Sequence, residues 1–267
     1  MSTENIFKGS IPSTYHEYLV PLIFSDYAED LVSRVSVPDG ATILEIAAGT
    51  GVLTECLANR LPSGVIIIAT DLNSTMLDVA RENLAKYNNI SFNVANAIDL
   101  HYNDDSFDVV LCQFGVMFFP DLIQAYREVY RVLKPGGEFM FNVWDSLDNN
   151  HFSRAVHESV IKLDRVNPPD FLKLPYGYHN VEVIKGQLEE AGFRYIGVDV
   201  VKKQSRADSA RDVALALAAG SPLATQLAER GLSDAVETVE ADLLDEFGEG
   251  EISAPMQAKV FHAVASS

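Results

Sequence analysis

Two stretches carry residues whose types and spacing suit a nucleotide-like ligand. The first is Glu45-Ile46-Ala47-Ala48-Gly49-Thr50-Gly51, and the second is Asp71, which closes the apolar run Val65-Ile66-Ile67-Ile68-Ala69-Thr70. The small residues of the first form a turn with almost no side-chain bulk. A ligand can therefore lie against main-chain N–H groups and the positive end of the helix that follows. Asp71 lies about 20 residues beyond the glycines, where an acid at a strand end can accept hydrogen bonds from two ribose hydroxyls. Spacing excludes a dinucleotide fingerprint. The pattern G-x-G-x-x-G needs a third glycine, and the frames opening at Ala47 and Gly49 put Val52 and Thr54 in its place.

Alternating strands and helices must hold these groups. Thr42, Ile43, Leu44 and Ile46 make a short, partly β-branched run of the kind buried on both faces of a parallel sheet. A helix is expected from about Val52, with Leu53, Cys56 and Leu57 on one face. Val65 to Thr70 is the second strand, and the run from Ile90 that ends in Asn96-Ala97 is the third. FDVVLCQFG then gives a fourth strand and GEFMFNVWD a fifth. Between them Leu122, Tyr126, Val129 and Leu133 recur at helical spacing, and Lys134-Pro135-Gly136-Gly137 is expected to end that helix in a turn.

The ordered set of E-x-A-x-G-x-G, Asp71, the segment that keeps Ala97, Leu100, Asp104, Ser106, Phe107 and Asp108, and the run R-V-L-K-P-G-G resembles the class I S-adenosylmethionine-dependent methyltransferases of small-molecule type. The resemblance spans roughly residues 43–145. It implies an α/β, doubly wound, mostly parallel seven-stranded sheet with an antiparallel last strand, a Rossmann-like methyltransferase fold with helical cap insertions. It also implies S-adenosylmethionine (SAM) as cofactor, with S-adenosylhomocysteine (SAH) as product. Glu45, Ala47, Gly49 and Gly51 would hold the methionine part, with Thr50 in the same turn, and Asp71 the ribose. Leu72 and Met76 would lie near the adenine, Asn96, Ala97 and Ile98 would bind it, and Gln113 would complete the set. Three departures stand out. Ala47 replaces the first glycine, a mild change if its φ is negative. Asn96 replaces an adenine-binding aspartate and can still accept from an exocyclic amine, without the strength that a charge adds. His101-Tyr102 stands where many members carry Pro-Phe.

Composition agrees with one such domain over residues 1–267: N-terminal helices to residue 36, a cofactor-binding core over 37–145, substrate-side insertions at 146–180 and 207–249, and a closing strand in 250–267. The leading segment from Ile11 to Val35 suggests two short helices interrupted at Pro21, whose Tyr15 and Tyr18 either touch the cofactor or pack in the core. The insertions, helical with a Pro/Tyr-rich loop, are expected to form a lid over the substrate. A net charge of −18 without Lys/Arg clusters argues against a general nucleic-acid binder. Cys56 and Cys112 read as small core residues, not a disulfide or metal site. The polar start MSTENIFKGS carries no secretory pattern and no run is long enough to span a membrane, so a cytoplasmic enzyme is expected.

Methyl transfer from a sulfonium needs alignment and water exclusion more than a dedicated nucleophile. No catalytic residue is assigned, and a base, if one is used, would come from His101, Asp145, His151, His157 or His179. Gln113-Phe114-Gly115-Val116 is not the N/D-P-P-Y/F motif of amino-methylating enzymes, nor does a Pro-Cys pair stand there. Met117, Phe118 and Phe119 either line an apolar acceptor site or cover the sheet. The acceptor is thus expected to be a small organic molecule, an apolar one if these three residues line its site. Two alternatives remain: a protein of this fold that transfers another group from a SAM-derived ligand, and a SAM/SAH-binding protein without turnover.

Overall fold

The computed structural model describes residues 11–266, so the expectation attached to MSTENIFKGS lies outside the described residues. The strands are β1 (Thr42–Ile46), β2 (Ile66–Asp71), β3 (Ile90–Val94), β4 (Phe107–Gln113), β5 (Leu133–Trp144), β6 (Tyr195–Ala207) and β7 (Ile252–Val264). Their order in the sheet is β3-β2-β1-β4-β5-β7-β6. β1 lies parallel to β2 and β4, β2 to β3 and β4 to β5, whereas β7 runs antiparallel to β5. The helices are α1 (Ile11–Thr14), α2 (Ser25–Ser33), α3 (Val52–Arg60), α4 (Ser74–Asn83), α5 (Leu122–Val132), α6 (His151–Leu163), α7 (Lys173–Gly177), α8 (Val181–Ala191), α9 (Ala210–Ala214), α10 (Leu223–Glu229) and α11 (Ala235–Phe247). This is the doubly wound sheet with an antiparallel last strand that the sequence led us to expect.

The chain divides into two compact units. One comprises Tyr27–Trp144, Tyr178–Val201 and Ala258–Ser267; the other comprises Met1–Asp26, described from residue 11, with Asp145–Gly177 and Lys202–Gln257. In the sheet unit, Ile43, Ile67, Val109, Leu111, Met140 and Val260 form an apolar cluster with Leu53 and Leu57 of α3 and Ala28, Leu31 and Val32 of α2. Phe141 stacks on Phe139 and on Phe261, and Tyr126 and Phe193 pack tilted against them in a second, aromatic cluster. In the helical unit, α6 is tied to α11 by Arg154–Glu246 at 2.7 Å, Lys162–Asp242 at 3.0 Å and the Phe152–Phe247 ring contact. α10 is bounded by Gly220-Ser221-Pro222 before it and Gly231 after it.

Two local expectations need correction. Residues Ile11 to Ser33 form one continuous helical run, because Tyr15–Phe24 adopts a π-helix that accommodates Pro21. Proline has no N–H to donate, and widening the helix relieves its clash with the preceding turn. Second, α5 ends at Val132, and Leu133 already belongs to β5, opposite Phe107, with a register shift before the pairing resumes at Val109. Gly136 at φ +78° makes that irregularity, while Lys134 turns back to Asp108 at 2.8 Å. The same Asp108 carboxylate accepts from the Thr42 N–H, which locks the entry to β1.

The turn after β1 is left-handed at three positions: Ala47 (φ +57°), Gly49 (+57°) and Gly51 (+89°). The negative φ that would have made Ala47 a mild replacement is therefore absent. An alanine in this region costs roughly 1–2 kcal/mol. Gly115 accommodates the methyl, for a Cβ added there would stand 2.5 Å from Ala47 Cβ. Gly51 is constrained in the opposite sense, since an added Cβ would meet Leu84 Cδ1 at 2.8 Å and Ala80 Cβ at 3.2 Å. Below the turn Glu45 is 1% exposed and accepts from Thr54 Oγ1 at 2.6 Å, which fastens β1 to α3. Burial is the main cause that pushes its carboxyl up to about 8, against the pull of the Thr54 bond.

Two of these left-handed positions, Ala47 and Gly51, should respond oppositely to substitution, as read from urea midpoints. Gly51→Ala should cost about 2 kcal/mol, whereas Ala47→Gly should gain about 0.5 kcal/mol, strain relief being partly offset by the added freedom of the unfolded chain. A large loss in Ala47→Gly would refute the strained turn. For Glu45, the unfolded chain releases the proton near pH ~4.3 and the folded chain only near 8. The folded state thus binds more protons in this window, and the carboxyl's contribution to stability falls as pH rises through it. Stability measured relative to Glu45→Gln should fall between pH ~5 and ~8 and level off above. A constant difference would contradict the raised carboxyl.

Candidate functional site

Parallel pairing sets Glu45 beside Ala69 and Asp71 beside Val94, so the carboxyl ends of β1, β2 and β3 lie side by side. Backbone bonds extend this alignment past the strands. Ala48 N–H donates to Thr70 O at 2.9 Å, and Ala95 N–H to Asp71 O at 3.1 Å. Thr70 Oγ1 adds a bond to Glu45 O at 2.8 Å.

Asp71 is the centre of this arrangement. Its Oδ2 accepts from Gly49 N–H at 2.9 Å and its Oδ1 from Asn73 N–H at 2.8 Å. The carboxylate therefore spans from the tip of β2 to the glycine turn and to the start of α4. Burial raises its pKa in spite of the stabilising N–H groups of Asn73, Gly49 and Leu72. An ionised carboxylate has about four acceptor positions, so these bonds leave it under-solvated and able to take hydroxyl donors. Leu72 is half-buried and Met76 is buried on α4, which starts from an Asn73 side-chain cap on Thr75 N–H.

The third strand end is held from α5. Arg131 donates to Leu100 O, Tyr102 O and Asp104 Oδ1, and Glu128 accepts from Leu100 N–H. Together they fix the loop after Asn96. Asn96 itself is exposed, and its Oδ1 accepts from Ile98 N–H at 3.2 Å. One lone pair of that oxygen is therefore engaged and a second remains for a ligand amine. Ala97 is buried and Ile98 half-buried, with Ile98 O accepting from Gln124. Thr50 is buried within the glycine turn, and Gln113 is buried at the end of β4, in register with Asn142.

Of the expected set, Glu45, Ala47, Gly49, Thr50, Gly51, Asp71, Leu72, Asn96, Ala97 and Ile98 cluster at the ends of three adjacent strands, with Met76 on the helix that follows β2 and Gln113 on β4. Glu45 departs from a simple contact role, because its carboxyl is enclosed and engaged by Thr54. Among the base candidates, His101 is exposed beside Asp99 and His151 opens α6 half-buried. Asp145 is buried, accepting from Ser146 N–H and Gln257 Nε2, which makes it a loop fastener. His179 is half-buried and its carbonyl accepts from Lys259 Nζ. His157 is buried, and desolvation with the nearby Lys173 lowers its pKa. Tyr15 stacks with Phe24, and both Tyr15 and Tyr18 are half-buried.

Sequence reasoning overlooked one group at the end of β4. Phe114 has φ +50° and stacks on Trp144 with ring centroids 3.8 Å apart and planes 8° apart, while Tyr27 meets both rings edge-on. Its N–H donates to the side chain of Asn142 at 2.9 Å. The signal was present as a single amide inside the apolar run Phe139-Met140-Phe141-Asn142-Val143-Trp144.

A methyltransferase domain family matches residues 44–141, the segment that contains all of these strand ends. The ubiquinone/menaquinone biosynthesis C-methyltransferase UbiE of Hahella chejuensis is 39% identical over 128 residues, which cover 46% of this chain and 51% of that enzyme. The enzyme of the same name from Marinomonas sp. is 30% identical over 175 residues, covering 61% of this chain and 70% of the relative. The chain spans 65% and 59% of two further enzymes of that name, from Proteus mirabilis and Hydrogenovibrio crunogenus. Among solved structures, Haemonchus contortus phosphoethanolamine N-methyltransferase 2, in complex with phosphomonomethylethanolamine and SAH, matches with a TM-score of 0.61 at 19% identity. That match covers 96% of this chain and 57% of the other, and bears on the fold alone. With the sheet order, the ordered strand-end motifs and these relatives in hand, the chain belongs to the class I S-adenosylmethionine-dependent methyltransferases.

Proposed function

We propose that this chain moves a methyl group from SAM to a small, apolar organic acceptor with an electron-rich ring. The observation that carries the proposal is the Asp71 carboxylate bridging β2 and the glycine turn, flanked by the tips of β1 and β3. Bound SAM would supply an electrophilic methyl on a positively charged sulfur that leaves neutral. The ribose hydroxyls would add to Asp71 and compete there with the Gly49 N–H, restoring solvation to a carboxylate that burial disfavours. Leu72 and Met76 supply apolar surface for an adenine, and the second lone pair of Asn96 Oδ1 an acceptor for its amine. Ala47, Gly49, Thr50 and Gly51 leave the turn open to the methionine part, and the enclosed Glu45 supports that turn by fastening β1 to α3 through Thr54. Gln113 at the end of β4 bounds the same ligand.

The quinone-pathway names of the relatives favour a ring carbon as the methylated atom. Met117, buried, with Phe118 and Phe119, half-buried, supplies an apolar rim after β4 that suits such a ring. Among the described residues no helix is long and apolar enough to cross a membrane. The ring carbon would form its bond to the methyl as the carbon–sulfur bond breaks, then release its own proton to solvent, and alignment of ring, methyl and sulfur would supply most of the acceleration without a dedicated nucleophile. Methyl-labelled SAM offered with a demethylated naphthoquinol, a catechol, a carboxylic acid and an amine tests the acceptor class. Label on the naphthoquinol ring carbon supports it, and label only on the acid or the amine overturns it.

Asp71→Ala should weaken SAM binding by about 2 kcal/mol, or roughly 30-fold in the dissociation constant, measured calorimetrically on folded variant. An unchanged constant would remove Asp71 from the site.

A further inference from the structure

Asn142 is 0% exposed in the middle of an otherwise apolar strand segment, and its side-chain oxygen accepts from the Phe114 N–H at 2.9 Å. The Phe114 N–H also reaches Asn142 O, at 3.3 Å, the continuation of the β4–β5 ladder. A phenylalanine at φ +50° is strained, and such outliers persist where their surroundings over-determine them. Here the surroundings are the Asn142 amide below the backbone and the Trp144 and Tyr27 rings around the side chain. The conformation redirects the chain at the end of β4 into Gly115 and the short helical turn Val116–Phe118. Gly115 in turn lies against Ala47 of the glycine turn. Asn142 Nδ2 is buried and has no hydrogen-bond partner among the described residues. Of the two polar atoms of this side chain it is the oxygen that makes a contact, and that contact is with Phe114.

We propose that Asn142 is a positioning residue: by holding Phe114 left-handed it sets the rim after β4 against the glycine turn, and through that rim it sets the affinity for the adenosyl ligand. The proposal rests on the methyltransferase reading above. It extends that reading to a residue that does not touch ligand and acts through Phe114 and Gly115.

Trp144 is the chain's one tryptophan, so its emission reports the Phe114 stack directly. The test compares the full-length wild type with Asn142→Leu, Asn142→Asp, Phe114→Gly and the double variant Asn142→Leu/Phe114→Gly, each titrated with SAH by calorimetry and by Trp144 emission. Asn142→Leu should shift the Trp144 emission to the red and raise the SAH dissociation constant roughly tenfold, the factor that one strained left-handed residue corresponds to. Asn142→Asp, titrated at pH ~5 where a carboxyl in this dry site is protonated and isosteric with the amide, keeps an oxygen for the Phe114 N–H and should retain both the emission and most of the affinity. Glycine adopts φ +50° without a pin, so removing Asn142 should cost much less affinity in the Phe114→Gly background than in the wild type. Equal SAH affinity in wild type and Asn142→Leu, or an equal loss in both backgrounds, would overturn the proposal. If Asn142→Leu does not fold, the ratio of Asn142→Asp to wild-type affinity at the pH that keeps the buried carboxyl protonated decides, and a tenfold loss there overturns it. Wild-type protein that binds no SAH would instead sink the methyltransferase reading itself.

Discussion

One carboxylate couples the parts of this site. Asp71 ends β2, yet its two oxygens bind the N–H of Gly49 in the turn after β1 and that of Asn73 at the start of α4. A parallel sheet brings strand tips side by side but leaves the loops beyond them undetermined. Asp71 supplies the missing link, at the cost of placing a partly desolvated charge where water is scarce. The cost is tolerable because backbone N–H groups meet the charge. A ligand with hydroxyl groups reduces it further.

The glycine turn shows how a family motif survives a departure. Ala47 is left-handed where glycine would be free of strain, and Gly115 on the neighbouring segment makes room for its methyl. The two positions form a complementary pair across β1 and β4, with the small residue moved to the opposite side. Phe114 directly before Gly115 is left-handed as well, so both segments that approach each other store strain. Strain of this kind is held by the structure around it, here the Thr54–Glu45 and Asn142–Phe114 hydrogen bonds.

Much of this was legible in the sequence. The runs at Thr42, Val65 and Phe107 are short, apolar and β-branched because central parallel strands are covered on both faces, whereas the run at Ile90 is the largely exposed edge strand and carries Ser91 and Asn93; all four became strands. The acids and small residues that end them needed only adjacency in the sheet to form a cluster. Other features depend on tertiary geometry that no local pattern encodes. The sign of φ at Ala47 follows from the path the turn must take over α3. Leu133 fits the helical spacing of α5, but pairing with Phe107 claims it for β5. Pro21 reads as a break, whereas a π-turn absorbs it within one helical run. Asn142 was visible as a polar residue in an apolar strand, but its partner lies 28 positions away and became apparent only when β4 and β5 were paired.

Calorimetric titration of the full chain with SAM, SAH and NAD tests the central claim most directly, that three neighbouring strand ends and one bridging acid bind an adenosyl group in the manner of this family. Saturable binding of SAM and SAH with no heat from NAD is the expected result. Saturation by NAD alone, or no binding of either adenosyl ligand, would contradict it.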